Sequence, residues 1–343
     1  MTTPVTQRDV AAACKVHPST ICLALNNSPS IPLATRQRIQ LTAQKLGYRP
    51  NAAARNLAFM RAEKGPPASL PLAWINQEPQ RDFWRANPAG RAHFEAARRR
   101  ATELGYHLEE FGLHEAGMST GRLAQIIHAR GIQGVVFPCL HTYDEDLFQP
   151  AWAKFACISF NDHRAADWMD VVCPDYYHNA DRVITELARR GFDRMGLVLT
   201  ERFDQATHGR VTSRYLRHAA MQGRNNRMPV CLVGHERKQW LAEVERWYRQ
   251  HRPDVVLCHD ADLVATLEEF GQEVCLVQLG ALSAGLQPGI DELPGEVAAA
   301  AIERLAEKIR RHEHGIGEST QCHLIKGRWT GGELAALESQ AVA

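Results

Sequence analysis

Three short runs in this sequence combine residue types and spacings that can do chemistry. The first is KVHPSTICLALNNSPSIP, residues 15–32, which reads as a helix opening at Pro18 and ending in a cluster of Asn, Ser and Pro. Ile21, Ala24 and Leu25 recur three and four apart and make its buried face. Pro18, Ser19, Leu23 and Asn26 remain outside, a surface that can meet another polymer yet holds no arginine. The second run, CHD at 258–260, ends an apolar stretch that reads as a strand, and open α/β sheets bind ligands at strand ends, so Asp260 is a candidate ligand contact. The third, HEH at 312–314, is expected on an exposed, solvated helix end. The sequence has no phosphate-cradling loop, nucleophile elbow or HExxH, so no enzyme activity, cofactor or catalytic metal is expected. The nine cysteines stand singly, without a CxxC, most of them in apolar runs such as FACISF and EVCLVQ. Thiols there act as small buried hydrophobes, and neither a disulfide framework nor a zinc site is expected.

The elements that must carry these residues follow from composition and period. With 343 residues, 45% hydrophobic and 23% charged, the chain is long enough for two to three units of ordinary globular composition. Apolar stretches are too short for a membrane span, and the first residues lack a secretory layout, so a cytoplasmic protein is expected. Residues 1–60 hold seven basic side chains against Asp9 alone, a net charge of +6 in a chain whose total is +1. A basic head on a mildly acidic body points to a polyanion partner for the head.

Within that head, Thr6 and Asp9 form a capping-box-like start, and QRDVAAAC puts Val10 and Ala13 on one face. Pro18 suits the first position of a second helix, where its missing N–H costs nothing, and His17 or Ser19 can satisfy the neighbouring N–H groups. A third helix is expected from about Leu33 to Leu46, with Ile39, Ala43 and Leu46 inward and Gly47 as its cap. Two short helices braced by a third make a helix-turn-helix unit.

Five marks in order, VT..DVA....V, ST...ALN, TR.RI, LGY.PN and A.R.LA, make this head resemble the DNA-binding head of LacI/GalR-type repressors over roughly 55 residues. The resemblance implies that the second helix enters a major groove, with Pro18, Ser19 and Leu23 at base-facing positions. Thr6, His17, Thr20, Cys22, Asn26, Thr35 and Tyr48 match positions near phosphates, which fix register without reading sequence. Two departures matter. Leu23 stands where the family often has an arginine; it can pack on a thymine methyl but cannot grip a guanine. Lys15 replaces the usual turn glycine, which implies a left-handed residue there. NAAARNLAFMR resembles a hinge helix that orders on DNA, Leu57 matching a minor-groove wedge with Asn51 and Ala54 beside it.

AEKGPPASLP, residues 62–71, is the best linker. Beyond it, short apolar runs such as GVVFPCL and DVVLCH alternate with helical patterns, which predicts parallel sheets covered by helices on both faces. The unit occurs twice. The fold class is therefore an all-α helix-turn-helix head plus an α/β two-lobed core, which the resemblance implies is periplasmic-binding-protein-like. The chain is expected to cross between lobes near Asn161-Asp162, Gly289-Asp291 and Glu318-Gln321. That divides it into a DNA-binding domain at 1–49, a hinge helix at 50–62 and a linker at 63–70. One lobe then comprises 71–162 and 291–318, the other 163–290 and 319–340.

Trp84 in DFWRANPAG is a candidate stacking platform for a ligand, or a packing aromatic. By resemblance, Arg214 lies near an effector-contacting arginine, with Arg210 and Arg217 as alternatives. Asp262 matches the acid of a family ND..A pattern, although Ala261 replaces the Asn. Asp175 matches a hinge-side Asp, followed by Tyr176 where Asn is usual. QLGALSAG lacks the Asp that sugar-binding members carry. The loss of these sugar-type polar contacts counts against an ordinary monosaccharide as the implied sugar-related effector, whose identity the sequence leaves open. The expected partners are a pseudo-palindromic double-stranded operator, a small-molecule effector and a second copy of the chain, with no membrane. The expected function is a transcriptional regulator, a repressor, controlled by an effector between the lobes. The alternative is a cytoplasmic small-molecule-binding protein that has lost operator recognition.

Overall fold

The head is built from three helices, α1 (Gln7–Cys14), α2 (Pro18–Leu25) and α3 (Leu33–Lys45). The structure, a computed structural model, describes residues 5–25, 30–46, 69–76, 83–86, 88–113, 115, 118–138, 150–160, 168–223, 227–234, 237–268, 275–280, 288–315 and 320–330. α1 starts on the expected capping box: Asp9 N–H donates to Thr6 Oγ1 at 3.4 Å, and Thr6 N–H to the Asp9 carboxylate at 2.7 Å. The Thr6 hydroxyl and N–H hold the Asp9 carboxyl below its ordinary value. α1 stops in a Schellman turn, Val16 N–H to Ala11 O and Lys15 N–H to Ala12 O, with Lys15 left-handed at φ 54. A small core of Val10, Ala11, Cys14, Ile21, Ala24, Ile39 and Ala43 holds the three helices together. Two expected core positions differ. Ala13 is exposed and Ala11 and Cys14 are buried instead, because an eight-residue helix offers α2 and α3 the stripe i, i+1, i+4 from Val10. Leu46 falls just past α3, where the helical period no longer aims it inward, and is exposed.

The body contains two six-stranded sheets. The first has the order β11-β5-β4-β3-β1-β2, all parallel, from β1 (Leu70–Asn76), β2 (Tyr106–Gly112), β3 (Gly134–Phe137), β4 (Ala156–Ser159), β5 (Asp170–Pro174) and β11 (Cys322–Ile325). The second has the order β12-β10-β9-β8-β6-β7, from β6 (Met195–Thr200), β7 (Cys231–Val233), β8 (Val255–Cys258), β9 (Leu276–Gln278), β10 (Gly289–Asp291) and β12 (Arg328–Thr330). Only β10 and β12 run antiparallel there. The central strands are buried end to end, as parallel strands covered on both faces must be.

Helices α4 (Phe83–Ala86), α5 (Pro88–Glu103) and α6 (Thr120–Ala129) follow β1 and β2. α7 (Tyr176–Arg189), α8 (Glu201–Ala206), α9 (Arg210–Met221), α10 (Arg237–His251) and α11 (Ala261–Glu268) alternate with the second set of strands. α12 (Pro294–Arg311) returns to the first sheet, where Val297, Ala298, Ala301, Ile302 and Leu305 pack on β3–β5 and on Ala96, Ala97 and Ala101 of α5.

The crossings between sheets differ from those expected. Residues 161–167 lie outside the described residues, but β4 before them and β5 after them share the first sheet, so the chain does not change sheets near Asn161-Asp162. It changes at 174–176, between β5 and α7. The reason is the cluster around Asp170, whose buried carboxylate accepts from Arg304 Nε of α12 at 2.8 Å and lies 3.4 Å from Lys308 Nζ. β11 likewise still belongs to the first sheet, which moves the last crossing from Glu318-Gln321 to 325–328. The middle crossing, 291–294, falls next to the expected Gly289-Asp291.

Candidate functional site

α2 is a short amphipathic helix whose inner side is fixed by Ile21 and Ala24, both fully buried, and whose end is tied down by Gln40 Nε2 donating to Ala24 O at 3.2 Å. With that side seated, Pro18, Ser19 and Leu23 stand outward, Leu23 at 41% exposure. Leu33 and Leu41 are more exposed still, so exposure alone does not single out Leu23; its place on α2 beside Ser19 does. His17 caps the helix: its Nδ1 accepts from Ser19 N–H at 3.4 Å and pairs with Ser19 Oγ at 2.8 Å. With Nδ1 as acceptor, a neutral His17 carries its proton on Nε2, a donor that a phosphate can accept. Thr6 is exposed and Thr20 and Thr35 half-buried. Asn26, Tyr48, Asn51, Ala54 and Leu57, and the side chain of Cys22, lie outside the described residues, as does the Gly47 cap.

In the core, topology brings the carboxyl ends of both sheets to the hinge. β5 ends at Pro174 and α7 begins at Tyr176; β10 ends at Asp291 and α12 begins at Pro294; β11 ends at Ile325 and β12 begins at Arg328. The three crossings bind one another. Asp175 N–H donates to Ile325 O at 2.8 Å, and Gly327 N–H to Asn179 Oδ1 at 2.9 Å. Gly327 is required by close approach, since a Cβ there would come within 2.4 Å of Ile290 Cγ2 and 2.7 Å of Asp291 O.

Around this hinge, the strand ends of the second sheet carry a cluster that the sequence reading largely missed. His259, at the end of β8, stacks on Phe203 of α8 with ring centres 3.7 Å apart and 18° between planes. Its Nε2 is 3.1 Å from Glu292 Oε1, just beyond β10, and Tyr176 meets the Phe203 ring edge-on at 5.5 Å. The motif CHD was the available signal for it; Phe203 and Glu292 carried none, because only the sheet order brings them beside His259.

The expected ligand contacts fall out as follows. Asp175 caps α7, accepting from His178 N–H at 3.0 Å, and Asp260 caps α11, accepting from Leu263 N–H at 3.3 Å. Arg214 is largely buried and engaged in an ion pair with Asp181 of α7 at 2.5 Å. Arg210, one turn earlier, reaches the hinge: its Nη1 lies 4.0 Å from Cys173 Sγ on β5. Arg217 meets Tyr177 Oη at 3.4 Å. The side chain of Asp262 lies outside the described residues. Trp84 stands 4.4 Å from the Phe94 ring with the Arg85 guanidinium 4.5 Å over it, and its buried Nε1–H has no partner among the described residues. HEH is not the solvated helix end expected. His312 is the left-handed stop of α12, Glu313 pairs with Arg304 at 3.3 Å, and His314 is half-buried. Burial, with His312 and Lys308 nearby, lowers the His314 pKa. Among the described residues no group of His, Cys, Asp and Glu is arranged to hold a metal ion.

Comparison with known proteins agrees with this division. Residues 6–51 match the family model described as bacterial regulatory proteins, lacI family. The catabolite control protein A of Priestia megaterium is 43% identical over 54 residues, a match that spans 16% of this chain and 16% of that relative. For the whole chain the likeness is one of fold. The transcriptional regulator CelR in complex with cellobiose is 15% identical with a TM-score of 0.58, over 95% of this chain and 98% of its own. The lac repressor dimer bound to operator and the anti-inducer ONPF is 14% identical with a TM-score of 0.56, over 96% and 98%. The chain thus matches the lacI family model in sequence over its head, residues 6–51, and is similar to these solved structures in fold along its body.

Proposed function

We propose that this chain is a sequence-specific DNA-binding transcriptional regulator, a repressor, that works as a cytoplasmic homodimer under the control of a small molecule held between its lobes. The observation that carries the reading is the capped second helix, seated on a three-helix core, with Pro18, Ser19 and Leu23 left facing out. One head covers a half-site, so a dimer reads a pseudo-palindrome. Leu23 packs on a thymine methyl, which makes base readout softer than an arginine would. Leu57, with Asn51 and Ala54, supplies further selection by wedging an easily kinked central step, since kinking energy depends on the sequence being kinked. Thr6, His17, Thr20, Cys22, Asn26, Thr35 and Tyr48 hold phosphates.

For the effector we assign the strand-end surface that includes Trp84, Asp175, Asp260 and Asp262, together with Arg214 or, in its place, Arg210 or Arg217. Trp84 Nε1–H is a buried donor that a ligand oxygen would satisfy. That relatives in fold hold cellobiose or stand on operator DNA supports the same division of labour. The ligand acts by preferring one lobe arrangement, and each tenfold change in DNA affinity corresponds to about 1.4 kcal/mol of coupling.

The test is selection of the full-length protein on random duplexes, followed by a salt titration of the winners. A pseudo-palindrome with a fixed, flexible centre and weak preference opposite Leu23 is expected. If nothing enriches, with or without added metabolite extract, the regulator gives way to the second reading. That reading, a ligand-binding protein without an operator, is favoured by the absence of arginine on the outer face of α2.

A further inference from the structure

Among the described residues, two cysteines lie beside each other. Burial pushes the thiols of Cys157 and Cys231 up to about 12 and that of Cys275 up to about 11, and raises Cys258 in the same way. At neutral pH such thiols stay protonated and are inert. Cys322 is exposed, on the outer strand β11 of the first sheet. Its Sγ lies 3.9 Å from Sγ of Cys173 on β5. Cys322 pairs with Val171 and Leu324 with Cys173, so the two-residue period of a strand puts both thiols on one face of the sheet. Arg210 Nη1 is 4.0 Å from the Cys173 sulfur, a cation beside a buried thiol that has a second thiol within reach.

We propose that Cys173 and Cys322 are a redox-modifiable pair that closes to a reversible disulfide when Cys322 meets a hydroperoxide. In the first step Cys322 gives up its proton and its sulfur attacks the outer oxygen of the hydroperoxide. The O–O bond breaks, and the leaving oxygen takes the proton as an alcohol, or as water from hydrogen peroxide. Cys322 becomes a sulfenic acid. Cys173 then loses its proton, favoured by Arg210, and its sulfur attacks the Cys322 sulfur; the S–O bond breaks and hydroxide leaves as water with that proton. Two thiols are oxidised and one hydroperoxide is reduced.

The pair sits on the two strands that lead into the first and last crossings, 174–176 and 325–328. The sulfurs must close from 3.9 Å to about 2.05 Å, which shifts β11 against β5 directly before both crossings. It also removes the thiol against which Arg210 rests. Resting on the reading of the chain as a DNA-binding regulator, the bond therefore biases the lobes and changes duplex affinity.

The experiment treats the full-length protein with hydrogen peroxide, alkylates the remaining thiols and maps tryptic peptides by mass. Residues 165–182 and 312–326 each contain a single cysteine, and the expected product is these two joined, two hydrogens lighter than their sum. It should vanish with dithiothreitol and be absent from Cys322→Ser. In Cys173→Ser, Cys322 should instead be trapped as a sulfenic acid by a 1,3-dione. Peroxide that leaves the two peptides unlinked, or joins Cys322 to another cysteine, overturns the proposal. A second arm measures binding to the selected duplex: a roughly fivefold or larger change on oxidation is expected in the wild type and none in Cys322→Ser. Linked peptides with unchanged duplex affinity overturn the regulatory half alone. Reduced protein that binds no selected duplex sinks the regulator reading, while the peptide map still decides the disulfide.

Discussion

The head and the core position their working residues in opposite ways. In the head, His17, Pro18, Ser19 and Leu23 come from seven consecutive residues, and one helix seated on seven buried side chains presents them all. In the core, the residues that meet at the hinge come from 173–179, 203–210, 259, 290–292 and 322–327, and only the sheet order gathers them. The difference teaches where each part is vulnerable. A head contact is lost one side chain at a time, whereas a core contact depends on three crossings holding together.

The largest break is therefore expected at Asp170. Asp170 is 2% exposed and faces Arg304 and Lys308, so Asp170→Asn takes the carboxylate away from buried Lys308 and leaves Arg304 with Glu307 and Glu313 only. Breaking such a cluster from one side costs about 3–5 kcal/mol. All seven tryptophans lie at or beyond Trp74, so tryptophan fluorescence in urea reports the core alone, and its midpoint should fall while the head is untouched. Burial by itself raises this carboxyl, but Lys308, Arg304 and the Gln321 N–H outweigh it and hold it below the ordinary value. A folded pKa lower than the unfolded value of about 3.9 gives stability that is complete above that pH and is lost as pH falls through the folded value. The wild type should show this acid loss, and the Asn variant should lack its Asp170 share. An unchanged urea midpoint would mean that α12 does not hold β5 by charge.

Gly327→Ala comes next. The new methyl would meet Ile290 Cγ2, Asp291 O and Asn179 Oδ1, on elements that flank the other two crossings, so the cost is about 1–3 kcal/mol by overpacking. Gly295→Ala is the control, because the nearest atom to a Cβ there, Ala96 Cβ, is 3.6 Å away, an ordinary contact. Equal urea midpoints for the two variants would show that the crossings yield independently.

What the sequence alone disclosed follows the same line. The capping box at Thr6 and Asp9 and the buried Ile21, Ala24, Ile39 and Ala43 are local consequences of cap chemistry and helical period and were legible, and the left-handed Lys15 was legible from the family resemblance, where it stands in place of a turn glycine. So was the repeated alternation of strand and helix, because buried parallel strands are short continuous apolar runs. The crossings were misplaced because DVVCP reads equally well as a strand of either sheet; the partner that assigns it, α12, lies more than a hundred residues away. Phe203 and Glu292 were invisible for the same reason. Arg214, Arg210 and Arg217 could not be separated, because the resemblance aligns loosely there; the structure gives Arg214 Asp181 as its partner and sets Arg210 beside Cys173.

Leu23→Arg sharpens the head's side of the comparison. An arginine at this position can donate two bonds to a guanine, worth about 1–3 kcal/mol of discrimination. Selection on random duplexes should then return a guanine opposite residue 23 where the wild type returns a weak preference, with the centre of the site unchanged. If the centre shifts instead, α2 is not the element that reads that base.

The smallest effect is expected at Lys15, whose backbone sits at φ 54 and ψ 45 to close the Schellman turn of α1. A left-handed L-residue costs roughly 1–2 kcal/mol, and glycine's greater freedom in the unfolded chain offsets part of what its substitution would recover. Lys15→Gly should therefore stabilise the head by about 0.5–1 kcal/mol, read as slower hydrogen exchange at the Val16 N–H that donates to Ala11 O. The same change removes one of seven basic residues, so a lost phosphate contact would reduce the salt dependence of duplex binding by about one charge. Lys15→Asn repeats the test, because Asn also tolerates the left-handed region and also lacks the charge, and the two readouts, exchange and salt slope, keep the causes apart. Slower exchange together with an unchanged salt slope in both variants would assign Lys15 to the turn alone; a shallower slope in both would add it to the phosphate-binding set, within the head's single local surface and without any part for the core.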